Sequence, residues 1–151
     1  MIYSRSAEYA IRALVHLASL PPDEFAMVKQ IAAEDGIPSH FLAKILQDLA
    51  RDGILRSSKG PRGGFRLRQA PGEVTMLQIV EAVDGKNRFE RCIGGSPECN
   101  DRAPCGMHDS WKALRSRIID YLEGTSVADL AKALEEKRRL LARPQRRGSK
   151  S

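Results

Sequence analysis

One segment of the sequence, from Cys92 to His108, constrains the fold more than any other, because it holds all three cysteines of the chain. Six residues separate the first two cysteines, five separate the second and third, and His108 follows after two more. The segment is rich in Gly, Pro, Asn and Asp, which are unsuited to a helix interior or a buried strand. It is therefore predicted to be a loop that presents soft ligands between regions of ordinary helix.

The cysteines favour metal or redox chemistry over structural disulfides. The apolar run from Tyr9 to Leu20 is interrupted by Arg12 and His16 and ends without a cleavage site, so neither a signal peptide nor a membrane span is expected. We therefore expect a cytoplasmic protein with no membrane partner. Disulfides are disfavoured in that reducing compartment, and an odd number of cysteines cannot all pair within one chain.

The first third of the chain predicts three helices in a helix-turn-helix arrangement. Apolar residues recur at helical spacing over residues 4–20, 28–35 and 39–52. Gly36 ends the second helix, and Ser39 is predicted to cap the N-terminus of the third. Two helices joined by a tight turn after a first helix are typical of proteins whose later helix enters the major groove of DNA.

The stretch from Gly53 to Leu67 predicts a wing, which consists of a strand, a Gly/Pro turn and a second strand. Glycines at positions 60, 63 and 64 let the backbone turn sharply and approach a surface closely. Charge for phosphates or a minor groove comes from Lys59, Arg62, Arg66 and Arg68. With a net charge of +6, this wing predicts double-stranded DNA as the partner.

The last third of the chain predicts three more helices. Thr75 and Gln78 form a capping box for a helix that ends near Asp84, and Ser126 with Asp129 starts the last helix, which is expected to pack back on the body. The helix between them, which runs to about Glu123, carries an apolar seam made of Trp111, Leu114, Ile118, Tyr121 and Leu122. This seam could belong to the chain's own core, but we favour a homodimer interface, because a palindromic operator requires a two-fold protein.

The predicted fold is mainly α, a winged helix-turn-helix domain with a long C-terminal dimerisation helix. The DNA-binding domain is assigned to residues 1–85 and the cysteine-rich, cluster-binding loop to residues 86–108. The dimerisation and terminal helices are assigned to residues 109–141, and a disordered basic tail to residues 142–151. The chain is not expected to be an enzyme, because it has neither a P-loop nor a credible Ser/His/Asp arrangement.

The spacing of the three cysteines favours an iron-sulfur cluster as the cofactor. Thiolates are the usual protein ligands of such clusters, and zinc is more often held by closely spaced C-x2-4-C pairs. A zinc site of three cysteines and a histidine is one alternative, and a cluster-free thiol switch with one disulfide is another. At the level of function, the competing hypotheses are an electron-transfer iron-sulfur protein and a repressor that senses a metabolite or thiol oxidation.

Several motifs resemble the Rrf-type bacterial iron-sulfur regulators, which include IscR-like and NsrR-like repressors. They are Tyr3-Ser4 with Tyr9 through Arg12, the wing from Lys59 through Phe65, Ala82 through Asp84, and the cysteine loop followed by a Trp-containing helix. The resemblance covers nearly the whole chain up to about Leu141. It implies a winged-helix homodimer whose cluster state sets its affinity for operator DNA. The chain departs from the pattern in having six residues rather than five between the first two cysteines.

The resemblance also implies roles for individual residues. The cluster ligands would be Cys92, Cys99 and Cys105, with His108 as the fourth ligand of a favoured 2Fe-2S cluster. Glu8, donated across the dimer, is the alternative fourth ligand, and a 4Fe-4S cluster is the alternative cofactor. DNA contacts are expected from Ser39, His40 and Lys44 on the third helix, from Lys59 and Arg62 in the wing, and from Arg5 and Arg66 on phosphates. The function expected is a transcriptional repressor that senses iron-sulfur status, nitric oxide or redox state.

Overall fold

The computed structural model describes residues 2–95 and 99–143, which contain six α-helices and one two-stranded hairpin. In chain order the elements are α1 Arg5–Ala18, α2 Val28–Asp35, α3 Ser39–Arg51, β1 Leu55–Ser58, β2 Gly64–Leu67, α4 Met76–Asp84, α5 His108–Glu123 and α6 Val127–Ala142. Short 3-10 turns lie at Pro71–Glu73 and Lys86–Phe89. The predicted mainly helical, winged fold is therefore confirmed. Most of the predicted disordered tail, from position 144 onward, lies outside the described residues.

The helix-turn-helix consists of α2 and α3, and the turn between them depends on Gly36. This glycine adopts left-handed backbone angles, with φ of 64°, where a side chain would be strained. The predicted capping role of Ser39 is wrong, because Pro38 occupies the cap position and Ser39 is already the first helical residue. Proline has a fixed φ that suits the entry to a helix and allows α3 to begin at Ser39. The hydroxyl of Ser39 is thus exposed on the first turn.

The wing is an antiparallel hairpin that is anchored to the segment before α2. Leu55 pairs with Leu67 at its base and Ser58 pairs with Gly64 near its tip. Ala26 forms an antiparallel bridge with the second strand, because its N–H and C=O each form a 2.9 Å hydrogen bond with the backbone of Phe65. A Cβ atom at Gly64 would collide with the backbone of Ala26. The close approach that this glycine permits is therefore to the protein's own backbone.

The C-terminal helices complete a single core with the winged helix. The backbone N–H of Met76 donates to Thr125 at 2.9 Å, and that of Val127 donates to Val74 at 2.8 Å. These bonds join the starts of α4 and α6, each of which begins with the predicted capping box. α5 packs on α4, and α6 packs on α1. In the part of the chain that the structure describes, no helix is both long and apolar enough to span a membrane.

Candidate cysteine site and DNA-binding surface

Two of the three cysteines lie side by side in the loop that precedes α5. The sulfur atoms of Cys92 and Cys105 are 3.6 Å apart, and both cysteines are half-buried. The backbone N–H of Gly94 donates to the Cys92 sulfur at 3.3 Å. A Cβ atom at position 94 would lie 3.3 Å from the Cys105 sulfur and 3.5 Å from the Cys92 sulfur. A side chain at position 94 would therefore require the Cys105 sulfur to move by a few tenths of an ångström.

The third cysteine, Cys99, lies against His108 at the start of α5. Its sulfur is 3.3 Å from Nδ1 of the imidazole, whose residue is only 5% exposed. The other ring nitrogen, Nε2, is 2.7 Å from Oδ1 of Asp101, and the ammonium of Lys112 is 3.0 Å from the same oxygen. Hydrogen bonds from His108 and then from Lys112 lower the pKa of the Asp101 carboxyl. No local pattern in the sequence singles out Asp101.

The predicted cluster ligands thus form two pairs. Over residues 2–95 and 99–143, no three His, Cys, Asp or Glu side chains converge closely enough to hold one metal ion. The alternative ligand Glu8 lies on α1, near Tyr3. Burial first, then the nearby Glu8 carboxylate and the Tyr121 hydroxyl, raise the pKa of Tyr3. Tyr121 lies about 20 Å along α5 from His108. Within one chain, the histidine rather than the glutamate accompanies the cysteines.

The start of the cysteine loop is tied to both halves of the molecule. The indole N–H of Trp111 on α5 donates to the carbonyl of Arg91 at 3.1 Å. Arg88 lies 3.5 Å from the carboxylate of Asp84, whose side chain is 5% exposed. The same carboxylate accepts hydrogen bonds from the hydroxyl of Ser4 and, at 2.9 Å, from its backbone N–H. Because Ser4 caps α1, Asp84 connects the loop to the first helix of the DNA-binding domain.

Most of the predicted DNA contacts lie on the surface as expected. The exposed residues are Ser39, His40 and Lys44 on α3, Lys59 and Arg62 at the wing tip, and Arg5 on α1. Arg66 differs, because its guanidinium lies 3.3 Å from the carboxylate of Asp23 and 4.8 Å from the ring centre of Phe25. These contacts engage its charge within the chain, so Arg66 is less available to a phosphate than the other basic residues.

The apolar seam of α5 divides between two faces of the helix. Leu114 and Tyr121 are 51% and 61% exposed, and Trp111 and Ile118 are half-buried. Leu122 is fully buried in the chain's own core, so its predicted place in a dimer interface is wrong. Leu122 belongs to the buried core cluster, and α5 packs on α4, so this side chain faces the core rather than solvent. The exposed seam is extended by Ile2, 44% exposed, which sequence reasoning missed.

A helix-turn-helix followed by a wing with exposed basic residues defines a winged-helix, DNA-binding transcription regulator. The comparisons with known proteins agree with this class. A family model described as Rrf2, iron-dependent transcriptional regulator, matches residues 3–133. The chain therefore belongs to the Rrf2 family, whose members are transcriptional regulators and not enzymes.

Related proteins cover nearly the same span. A protein of Aquifex aeolicus that is named as an HTH-type transcriptional regulator is 39% identical to this chain, over 91% of this chain and 95% of its own length. IscR of Aliivibrio salmonicida is 28% identical over 86% of this chain and 77% of its own.

Two solved structures have the same fold. CymR, the global cysteine regulator of B. subtilis, superposes with a TM-score of 0.74 at 22% identity, over 86% of this chain and 95% of its own. IscR of T. potens superposes with a TM-score of 0.70 at 21% identity, over 89% of each chain.

Proposed function

We propose that the protein is a homodimeric transcriptional repressor whose affinity for operator DNA is set by an iron-sulfur cluster. The ligands would be Cys92, Cys99, Cys105 and His108. The observation that carries this proposal is the arrangement of these four side chains as two close pairs next to α5. A cluster bound there would supply an iron centre whose oxidation, nitrosylation or loss changes the ligands' positions.

The distances within each pair suit two ligands of one metal ion. Two thiolates that each lie about 2.3 Å from a tetrahedral metal are about 3.8 Å apart, and a thiolate and an imidazole nitrogen are about 3.6 Å apart. The corresponding distances are 3.6 Å between the sulfurs of Cys92 and Cys105 and 3.3 Å between Cys99 and His108. Two pairs match the four protein ligands of a two-iron cluster, which places two on each iron.

This arrangement favours a two-iron cluster over the zinc alternative. A structural zinc site requires four ligands around a single ion. Among the described residues, no three potential ligands converge to that degree. The departure in spacing, six residues between Cys92 and Cys99, falls in a segment that contains Gly94 and Gly95, and a glycine-rich loop readily tolerates one additional residue.

Coupling between the loop and the DNA-binding domain would pass through Asp84. This carboxylate contacts Arg88 near the start of the loop and Ser4 at the cap of α1. A ligand that orders the loop would favour one position of Arg88, and with it one position of α1. The operator affinities of the cluster-loaded and cluster-free states can differ only to the extent that the two states favour different positions of α1.

Homodimerisation would use the outer face of α5. Leu114 and Tyr121 lie two turns apart on one side of α5 and are more than half exposed, so together they form an apolar strip that a second copy could cover. A two-fold dimer would present two α3 helices to successive major grooves, and such a pair reads a palindromic operator.

A cluster-free thiol switch is the second candidate. The 3.6 Å separation between the sulfurs of Cys92 and Cys105 is favourable for disulfide formation. One similar fold belongs to a protein described as a global cysteine regulator. In this case a two-electron oxidant such as a peroxide would join Cys92 to Cys105 and be reduced to water or an alcohol.

Anaerobic purification of the full chain distinguishes the two candidates. The cluster proposal predicts visible absorption, with iron and acid-labile sulfide in equal amounts, and their loss in Cys92→Ala and Cys99→Ala. The thiol switch predicts colourless protein whose operator binding depends on Cys92 and Cys105 but not on Cys99. Colourless, iron-free wild-type protein under these conditions would refute the cluster proposal.

A further inference from the structure

The imidazole of His108 is fixed at both ring nitrogens. Nδ1 lies 3.3 Å from the sulfur of Cys99, and Nε2 lies 2.7 Å from Oδ1 of Asp101. The histidine is 5% exposed, so the ring is enclosed by the loop rather than solvated. Such a buried ring has little freedom to rotate, and its two neighbours therefore decide which nitrogen carries the proton.

The hydrogen-bonding capacity of the two neighbours sets the tautomer. An ionised carboxylate accepts hydrogen bonds but cannot donate one, so Nε2 must carry the proton that it shares with Asp101. A neutral imidazole carries only one ring proton. In the neutral ring, which is the form that binds a metal ion, the lone pair is therefore on Nδ1, on the side that faces Cys99.

We propose that Asp101 is a positioning residue that directs His108 to bind the cluster through Nδ1. The inference rests on the proposed function and adds a residue that acts on the cluster through a ligand rather than as one. Metal-bound histidines usually donate their second ring N–H to a carboxylate or carbonyl, and such a partner fixes the ring and increases its basicity. Asp101 is in the position of that partner.

Local contacts orient the Asp101 carboxylate, although its side chain is 73% exposed. The side chain of Asn100 accepts a 2.8 Å hydrogen bond from the backbone N–H of Arg102, which fixes the turn that contains Asp101. Lys112 lies one helical turn after His108 on α5, so both side chains point to the same side of the helix. Its ammonium, 3.0 Å from Oδ1, gives the carboxylate a second contact.

This arrangement has two consequences for a bound cluster. A more basic imidazole donates more electron density and favours the oxidised iron, so the Asp101 hydrogen bond should lower the reduction potential. The same hydrogen bond keeps Nδ1 directed at the iron and should slow cluster loss. Removal of such a partner typically weakens metal binding by about 10–100-fold.

The test compares Asp101→Ala with Asp109→Ala in the full chain after anaerobic cluster reconstitution with ferrous iron and sulfide. Asp109 is a suitable control because it is an exposed acid in the first turn of α5, one residue after His108. We expect Asp101→Ala to lose its cluster about 10–100-fold faster on addition of a chelator and to have a higher reduction potential. Asp109→Ala should match the wild type, and Asp101→Glu should restore part of both properties.

A second comparison separates positioning from a general effect on the loop. In a His108→Cys background, where a fourth thiolate replaces the imidazole, Asp101→Ala should no longer change the potential or the rate of loss. The inference is overturned if Asp101→Ala equals the wild type, or if its effect is as large in that background. Wild-type protein that binds no iron would overturn the proposed function and this inference together, whereas a normal cluster in Asp101→Ala would overturn the inference alone.

Discussion

The substitution Asp84→Ala tests the connection between the cysteine loop and the DNA-binding domain. The carboxylate is 5% exposed and accepts hydrogen bonds from the backbone and hydroxyl of Ser4, with Arg88 at 3.5 Å. A hydrogen bond to a charged group is worth about 1.5–3 kcal/mol, and a donor left without a partner costs about 1–3 kcal/mol. We therefore expect the free energy of unfolding to fall by about 2–4 kcal/mol.

Urea unfolding followed by circular dichroism measures this change. With a slope of about 2 kcal/mol per molar urea, the midpoint should fall by about 1–2 M at equal protein concentration. Asp23→Ala is the matched control, because its fully exposed carboxylate pairs with Arg66 at the surface and such pairs contribute about 0–1 kcal/mol. Equal midpoints for the two variants would refute the role of Asp84.

The same substitution should also weaken the link between cluster and operator. If Asp84 transmits the state of the loop to α1, the difference in operator affinity between cluster-loaded and cluster-free protein should shrink in Asp84→Ala. Fluorescence anisotropy with a labelled operator measures both affinities. A variant that is less stable but keeps the full difference would contradict the proposed coupling path.

Three further predictions follow from the positions of individual side chains. Leu122→Ala should lower the free energy of unfolding by about 2–5 kcal/mol, because it leaves a cavity in the core. Leu114→Ala should leave the free energy of unfolding of the protomer unchanged, and it should raise the dimer dissociation constant measured by analytical ultracentrifugation. Gly64→Ala should distort the wing and reduce operator affinity, because the backbone of Ala26 leaves no room for a Cβ atom at this position. NMR should show α1 to α3 intact, and unchanged chemical shifts of the wing residues would contradict the prediction. Arg62→Ala should reduce the salt dependence of DNA binding by about one counterion, and Arg66→Ala should reduce it less.

Elements with strong local signals could be predicted from the sequence. The bounds of α2 agree because Gly36 is well suited to the left-handed backbone that ends a helix. Both capping boxes formed as predicted, since Thr75 with Gln78 and Ser126 with Asp129 depend only on residues three apart. The prediction for Ser39 failed because the preceding Pro38 provides the helix entry instead.

Features that depend on distant parts of the chain could not be predicted. A wide apolar stripe on α5 does not reveal which of its sides meets the core, so the pattern alone places Leu122 and Leu114 in the same interface although one is buried and the other exposed. The partner of Arg66 is Asp23, far away in sequence, and no local pattern indicates that pair. The sequence likewise makes the three cysteines candidate ligands, and the family resemblance adds His108, but neither indicates which of these side chains lie close together.

The central claim is that a cluster held by Cys92, Cys99, Cys105 and His108 sets operator affinity. The most direct test measures operator dissociation constants of one anaerobic preparation before and after its iron is removed by a chelator, with iron and sulfide counted in both samples. The proposal predicts about two irons and two sulfides per protomer before removal and a change in affinity of at least about 5-fold after it. Equal affinities with and without bound iron, or an iron-free wild-type protein, would contradict it.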